Sequence, residues 1–210
     1  MRTTLLSLIT ILCLMLAVTP AMAGTVYTNG PIGFDRGAWL INGSGVSDSF
    51  TVGGGPNGTG YSIEDLHIGV WLLQGDHLAT TDVGFGTMPF QTFTNFVDLG
   101  PTHSTDLGFN LFGYEIWQID FTDLGEVPLA PGTYWLTLRS ASVGLGNPDP
   151  VYWDENGGPS TAYAGSPPGM IPSESFTITG TANTPEPSSI ALFGSGILGL
   201  AGVLRRRPMG

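Results

Sequence analysis

Ser62-Ile63-Glu64-Asp65-Leu66-His67-Ile68-Gly69-Val70-Trp71-Leu72-Leu73 puts Leu66, Ile68, Val70 and Leu72 on one side of an extended chain and His67, Gly69 and Trp71 on the other. Side chains of a strand alternate between faces, so a period of two with one apolar face predicts a sheet packed on one side. Tyr114 to Phe121 repeats the pattern, with Trp117, Ile119 and Phe121 opposing Gln118 and Asp120. Two such sheets bury their apolar faces by stacking on each other. The expected fold is all-β, a jelly-roll-like β-sandwich.

Outward from this centre, short runs rich in Val, Ile, Thr, Tyr, Phe and Trp are separated by Gly, Pro and Asn, the strand-and-turn pattern. Further strands are expected over Ala38 to Ile41, Ser49 to Val52, Phe90 to Val97, Thr133 to Arg139, Val151 to Trp153 and Ser175 to Thr179. Pro131-Gly132 is a turn dipeptide leading into Thr133-Tyr134-Trp135-Leu136-Thr137-Leu138, among the strongest strand signals. No stretch of this region shows capped apolar residues at helical spacing. The glycine-rich run Gly53 to Gly60 is read as a surface loop, since a phosphate cradle needs a following helix and a lysine. The chain contains no lysine.

Between Gly24 and Asn183 lie sixteen acidic residues against Arg36 and Arg139 alone, a net charge of −14 with histidines neutral. Nucleic-acid binding requires clustered Lys and Arg to release counterions from phosphate, so that class of partner is excluded. The single cysteine, Cys13, falls in the apolar run of an apparent leader. A mature chain without it forms no disulfide, and packing alone must stabilise the fold.

Chemistry-bearing patterns are sparse. His67, His77 and His103 are scattered, with no carboxylate or cysteine partner at ligand spacing, which argues against a zinc centre. Gly43-Ser44-Gly45 is too short to be a nucleophile elbow. The densest polar segment is Asn147-Pro148-Asp149-Pro150-Val151-Tyr152-Trp153-Asp154-Glu155-Asn156-Gly157-Gly158. Three readings stand beside one another: an acidic hairpin with Trp153 in the core, a calcium site using Asp149, Asp154, Glu155 and Asn156, and a sugar platform using Tyr152 and Trp153. No resident cofactor is otherwise expected.

Both ends read as addresses. Arg2, the apolar run Leu5 to Val18 and the small-x-small triplet Ala21-Met22-Ala23 make residues 1–23 a secretory signal peptide, with cleavage before Gly24. At the other end Pro185-Glu186-Pro187 precedes 17 uncharged residues, 188–204, and then Arg205-Arg206-Arg207. The apolar stretch is at the short end of what spans a bilayer as a helix, and the arginines hold that end on the cytoplasmic side. The two prolines keep the marker extended just outside the membrane.

This tail resembles the PEP-CTERM sorting signal, matching its Pro-Glu-Pro marker, glycine-rich apolar helix and arginine cluster in order. The resemblance implies processing by an exosortase, a membrane-embedded cysteine transpeptidase that reads Pro185, Glu186 and Pro187, with the helix and basic stop removed. It also implies export to the cell surface or an exopolysaccharide matrix. The segment around Asp154, together with Ile171-Pro172-Ser173-Glu174-Ser175-Phe176-Thr177-Ile178, is similar to a pattern of exported domains that carry this tail, and implies no activity.

The expected organisation is a signal peptide (1–23), a β-sandwich domain (24–180), a linker (181–184) and a sorting signal (185–207). The expected function is that of a non-enzymatic surface or matrix protein, whose partners are an exosortase, transiently the inner membrane, and extracellular polysaccharide. The alternative is a carbohydrate-binding module or glycan-active enzyme of the same matrix. A concave face lined by Trp and Tyr beside carboxylates would favour the alternative.

Overall fold

The computed structural model describes residues 23–55, 58–144 and 148–183, together with Gly196. Residues 23–183 form one compact unit of two antiparallel sheets arranged as a sandwich. Residues 1–22 of the expected signal peptide (1–23), the marker Pro185-Glu186-Pro187, the apolar stretch 188–204 (Gly196 apart) and Arg205 to Arg207 lie outside the described residues. Among the described residues no helix is long and apolar enough to cross a membrane.

In chain order the strands are β1 (Gly24–Thr28), β2 (Ala38–Leu40), β3 (Val46–Val52), β4 (Tyr61–Leu72), β5 (Leu78–Met88), β6 (Gln91–Leu99), β7 (His103–Phe109), β8 (Glu115–Phe121), β9 (Val127–Leu129), β10 (Gly132–Val143), β11 (Tyr152–Asp154), β12 (Ala162–Gly165), β13 (Pro168–Ile171) and β14 (Phe176–Ala182). One sheet runs β13-β12-β3-β10-β5-β6. The other runs β1-β14-β4-β11-β2, with β9 and the β8–β7 pair also joined to β4.

Strand β4 is the spine of the larger sheet because it outreaches every neighbour. On one edge β9 pairs Tyr61 to Ile63 and β8 pairs Leu66 to Leu72. On the other, β14 pairs Tyr61 to Ile68 and β11 pairs Val70 and Trp71. As the alternation predicts, Leu66, Ile68, Val70 and Leu72 are buried in the core. They face Phe50, Val52, Val83, Phe85, Leu136 and Leu138 of the smaller sheet.

Phe50 sits at the centre of the core, with its ring 5.8–6.2 Å from those of Tyr27, Phe85, Tyr134 and Phe176. Aromatic pairs at such separations add to the burial of their own area. Each strand expected from the sequence is present within a few residues of its expected ends.

Phe50→Ala removes the ring that four others contact, and is expected to lower unfolding free energy by about 3–5 kcal/mol. Val97→Ala, on the exposed face of edge strand β6, should change it by less than about 0.5 kcal/mol. Urea denaturation with unchanged slopes checks both; a Phe50 loss near that of Val97 would contradict the core assigned here.

Candidate functional site

The site lies where β14 and β11 meet end to end on β4. At this seam the ladder passes from Phe176, opposite Ile68, to Trp153, opposite Val70, and the intervening backbone pairs with itself. Ser175 N–H donates to the Asp154 carbonyl (2.7 Å), Asn156 N–H donates to the Ser173 carbonyl (2.8 Å), and Glu155 bridges Glu174. Gly69 of β4 faces the seam, and Ile32 and Ser175 lie so close that a Cβ there would meet them within 3 Å. A small residue is required, which is why the apolar run is interrupted at Gly69.

Three buried carboxylates gather at this seam. Asp154 accepts the Trp71 indole N–H (2.8 Å) on one oxygen and the Gly33 N–H (2.7 Å) on the other. Asp48, in phase with Val46, Phe50 and Val52, lies on the inner face of β3. Its Oδ2 accepts Glu174 N–H (2.7 Å) and the Asn29 amide (3.0 Å), so this one oxygen ties the two sheets together. Glu174, two residues before Phe176, is fully buried, and both of its carboxyl oxygens lack a hydrogen-bond partner.

Asn29 is oriented by its oxygen, which accepts the Tyr27 hydroxyl proton (2.9 Å). Burial and the neighbouring Asp48 charge push that hydroxyl up to about 12. Burial likewise pushes the carboxyls of Asp48 and Asp154 up to about 6. Glu174 is held well above the usual carboxylate range by burial, and then by the charges of Asp48, Glu155 and Asp154.

Two clefts flank the seam. One, of about 500 Å³, is lined by Asn29, Gly30, Arg36, Asn156, Gly158 and Pro159 among others. The second, of about 360 Å³, is walled by Trp71, Phe112, Tyr114 and Tyr152, with Arg36, Gly37 and Ala38 at its rim. Here Phe112 stacks on Trp71 (5.7 Å between centroids, 25° between planes) and Tyr152 meets Tyr114 edge-on at 5.5 Å. Arg36 is exposed and borders both clefts, whereas Arg139 is paired with Asp82 at 3.5 Å.

The residues singled out in the sequence fall in different places. Trp153 is fully buried and donates its indole N–H to the Ser175 carbonyl, so Tyr152 is the aromatic of that segment left to meet a ligand. Asp154 is engaged as above. Asn156 gives its amide to the Asn29 carbonyl and accepts Gly158 N–H. Glu155 packs against Gly37, and Asp149 lies beside Asp76, its carbonyl accepting from Asn42. Among the described residues no three Asp, Glu, His or Cys side chains are grouped as metal ligands.

One reading is corrected. His67 does have a carboxylate partner: its Nδ1 lies 2.7 Å from Asp120 Oδ1. The pair forms because β4 and β8 place the two residues opposite each other, a register that spacing along the chain does not reveal. Sequence reasoning also passed over Asp48, which sits in ordinary strand-like surroundings, and gave Glu174 no role within its segment; the two converge only through the stacking of the sheets.

A family model for the PEP-CTERM protein-sorting motif matches residues 183–207, so the chain carries that motif. The motif implies export and exosortase-mediated placement at the surface or outside the cell. No curated protein and no solved structure matches the chain.

The raised carboxyls fix a pH dependence. Groups whose folded pKa exceeds the unfolded value near 4 stabilise the fold fully below about pH 4, and that contribution is lost as pH rises through about 6. Thermal unfolding of the purified exported chain in chelator should therefore show a higher midpoint at pH 5 than at pH 8. A midpoint that rises over this interval would contradict the burial of these groups.

Proposed function

We propose that this chain is an exported, non-enzymatic protein of the cell surface or exopolysaccharide matrix. In this reading a signal peptide directs export, the apolar stretch 188–204 anchors the chain transiently in the inner membrane, and an exosortase removes the tail. The observation that carries the reading is the sorting motif, which begins at residue 183, where the compact unit ends. The motif addresses the chain, and the β-sandwich is what is delivered.

A second reading is supported by the aromatic cleft: the sandwich binds carbohydrate there. Phe112, Tyr114 and Tyr152 offer ring faces and edges for a pyranose, and Arg36 and the tyrosine hydroxyls offer polar contacts at its rim. Hydrolysis would need a pair of carboxyl groups flanking the bound sugar, and no acidic side chain lines this cleft, so the geometry favours binding over cleavage.

Mass spectrometry of the protein from its host tests the first reading. The mature form should lack Arg205 to Arg207, and should retain them when the exosortase is deleted or Pro185-Glu186-Pro187 is replaced by alanines. Retention in the unaltered host would defeat it. For the second, an array of matrix polysaccharides should bind the exported chain, with Tyr152→Ala and Phe112→Ala each weakening binding by about fivefold, since the contact of one aromatic ring is worth about 1 kcal/mol. Equal binding by all three proteins would remove the cleft from consideration.

A further inference from the structure

Several oxygens buried at the seam have no hydrogen-bond partner. Glu174 is fully buried with Oε1 and Oε2 both unpartnered, and Asp48 Oδ1 is buried and unpartnered beside it. Around the Asn29 amide nitrogen stand four oxygens: Ser160 Oγ and Ser173 Oγ at 2.6 Å, the Glu174 carbonyl at 2.7 Å and Asp48 Oδ2 at 3.0 Å. An amide nitrogen has two hydrogens, so two of these four receive none from it. The ion pairs among the described residues are His67–Asp120 and Arg139–Asp82, and neither touches the seam.

A carboxyl group buried without a partner is tolerated when it keeps its proton, and a bound cation is the other way to meet its charge. We propose that Asp48 and Glu174, one from each sheet, bind a divalent cation whose chemistry is that of calcium. The available donors are all oxygen, without thiolate or imidazole, which disfavours zinc and the later transition metals. Calcium completes its shell with neutral hydroxyl and carbonyl oxygens, so two carboxylates suffice; those of Ser160, Ser173 and Glu174 surround the Asn29 amide nitrogen in the metal-free chain and become ligands once that amide turns aside. Magnesium keeps several waters and suits a dry seam poorly. The 500 Å³ cleft that shares Asn29 with the cage gives the ion a way in.

The cation would lock the sheets at the point where Asp48 Oδ2 already joins them. It stands independently of the sorting reading, since it concerns the sandwich and not the tail.

The exported chain, stripped with chelator, is titrated with CaCl2 or MgCl2 at fixed pH while thermal unfolding and bound metal are measured. One calcium per chain is expected, and at a hundredfold excess over its dissociation constant a midpoint raised by about 5–10 °C. Magnesium at the same concentration should give a much smaller shift. Glu174→Gln keeps the side-chain shape and should abolish the calcium response while leaving the metal-free midpoint equal or higher; Asp48→Asn should weaken calcium binding at least tenfold. No calcium shift in the unaltered chain, or a full response in Glu174→Gln, would overturn the proposal. Should Glu174→Gln fail to fold, the Asp48→Asn affinity alone decides it, and an affinity equal to that of the unaltered chain would count against it.

Discussion

The ladder of β4 must be filled from end to end, because a buried strand cannot leave its N–H and C=O groups unpaired. No single neighbour is long enough, so each edge of β4 is completed by two strands in series. The junction of β14 and β11 is the consequence. There the chain leaves regular pairing for Ser173 to Ser175 and Asp154 to Asn156, and the polar residues of those segments enter the interior with it. Trp71, although on the outer face of β4, is nearly buried because the strip 30–37 and the aromatic loop around Phe112 close over this seam.

Such a seam is a poor means of stabilising a protein. A chain without lysine, and without a cysteine in its folded part, depends on its apolar core, and that core is complete: Phe50, Phe85, Phe121, Phe176 and Trp153 are all buried. Against this, Asp48, Asp154 and Glu174 each lose hydration on folding. Hydrogen bonds return part of that loss to Asp154, whose two oxygens have donors, and to Asp48 through its Oδ2. Glu174 receives none. Apolar residues of similar size would cost less in these positions. Asp48 and Asp154 nevertheless hold segments of the seam in place, whereas the Glu174 carboxyl holds none.

Strands were legible wherever their inward residues are large and branched or aromatic, as in β4, β8 and β10. Strand β5 was not, because alternating with Val83 and Phe85 it carries Gly84 and Gly86, where β6 passes too near for a side chain; a Cβ at Gly86 would clash with the Gln91 carbonyl. Strand β7 pairs with β8 alone and exposes most of its residues, so it has no apolar period to read. The seam was half legible. The Asp154 and Glu174 segments were visible as unusual, but Asp48 looked like any polar residue in a strand, and its meeting with Glu174 spans 126 positions. Local pattern reports which face a residue takes, and only the stacking of sheets reports what it faces.

The aromatic cleft and the acidic seam are joined through one side chain. Trp71 forms the floor of the cleft beneath Phe112, and its indole N–H is held by Asp154 from the seam side. Gly33 N–H bonds the other Asp154 oxygen, so the strip that carries Arg36 to the rim of both clefts is fixed to the same carboxyl. Since packed interiors shift as units and do not deform continuously, a change in how Asp154 is bonded moves the tryptophan floor and the Arg36 rim together. The pieces of this surface that can meet a ligand are thus positioned by a residue no ligand reaches, which makes the seam a determinant of the cleft's shape as well as of the fold.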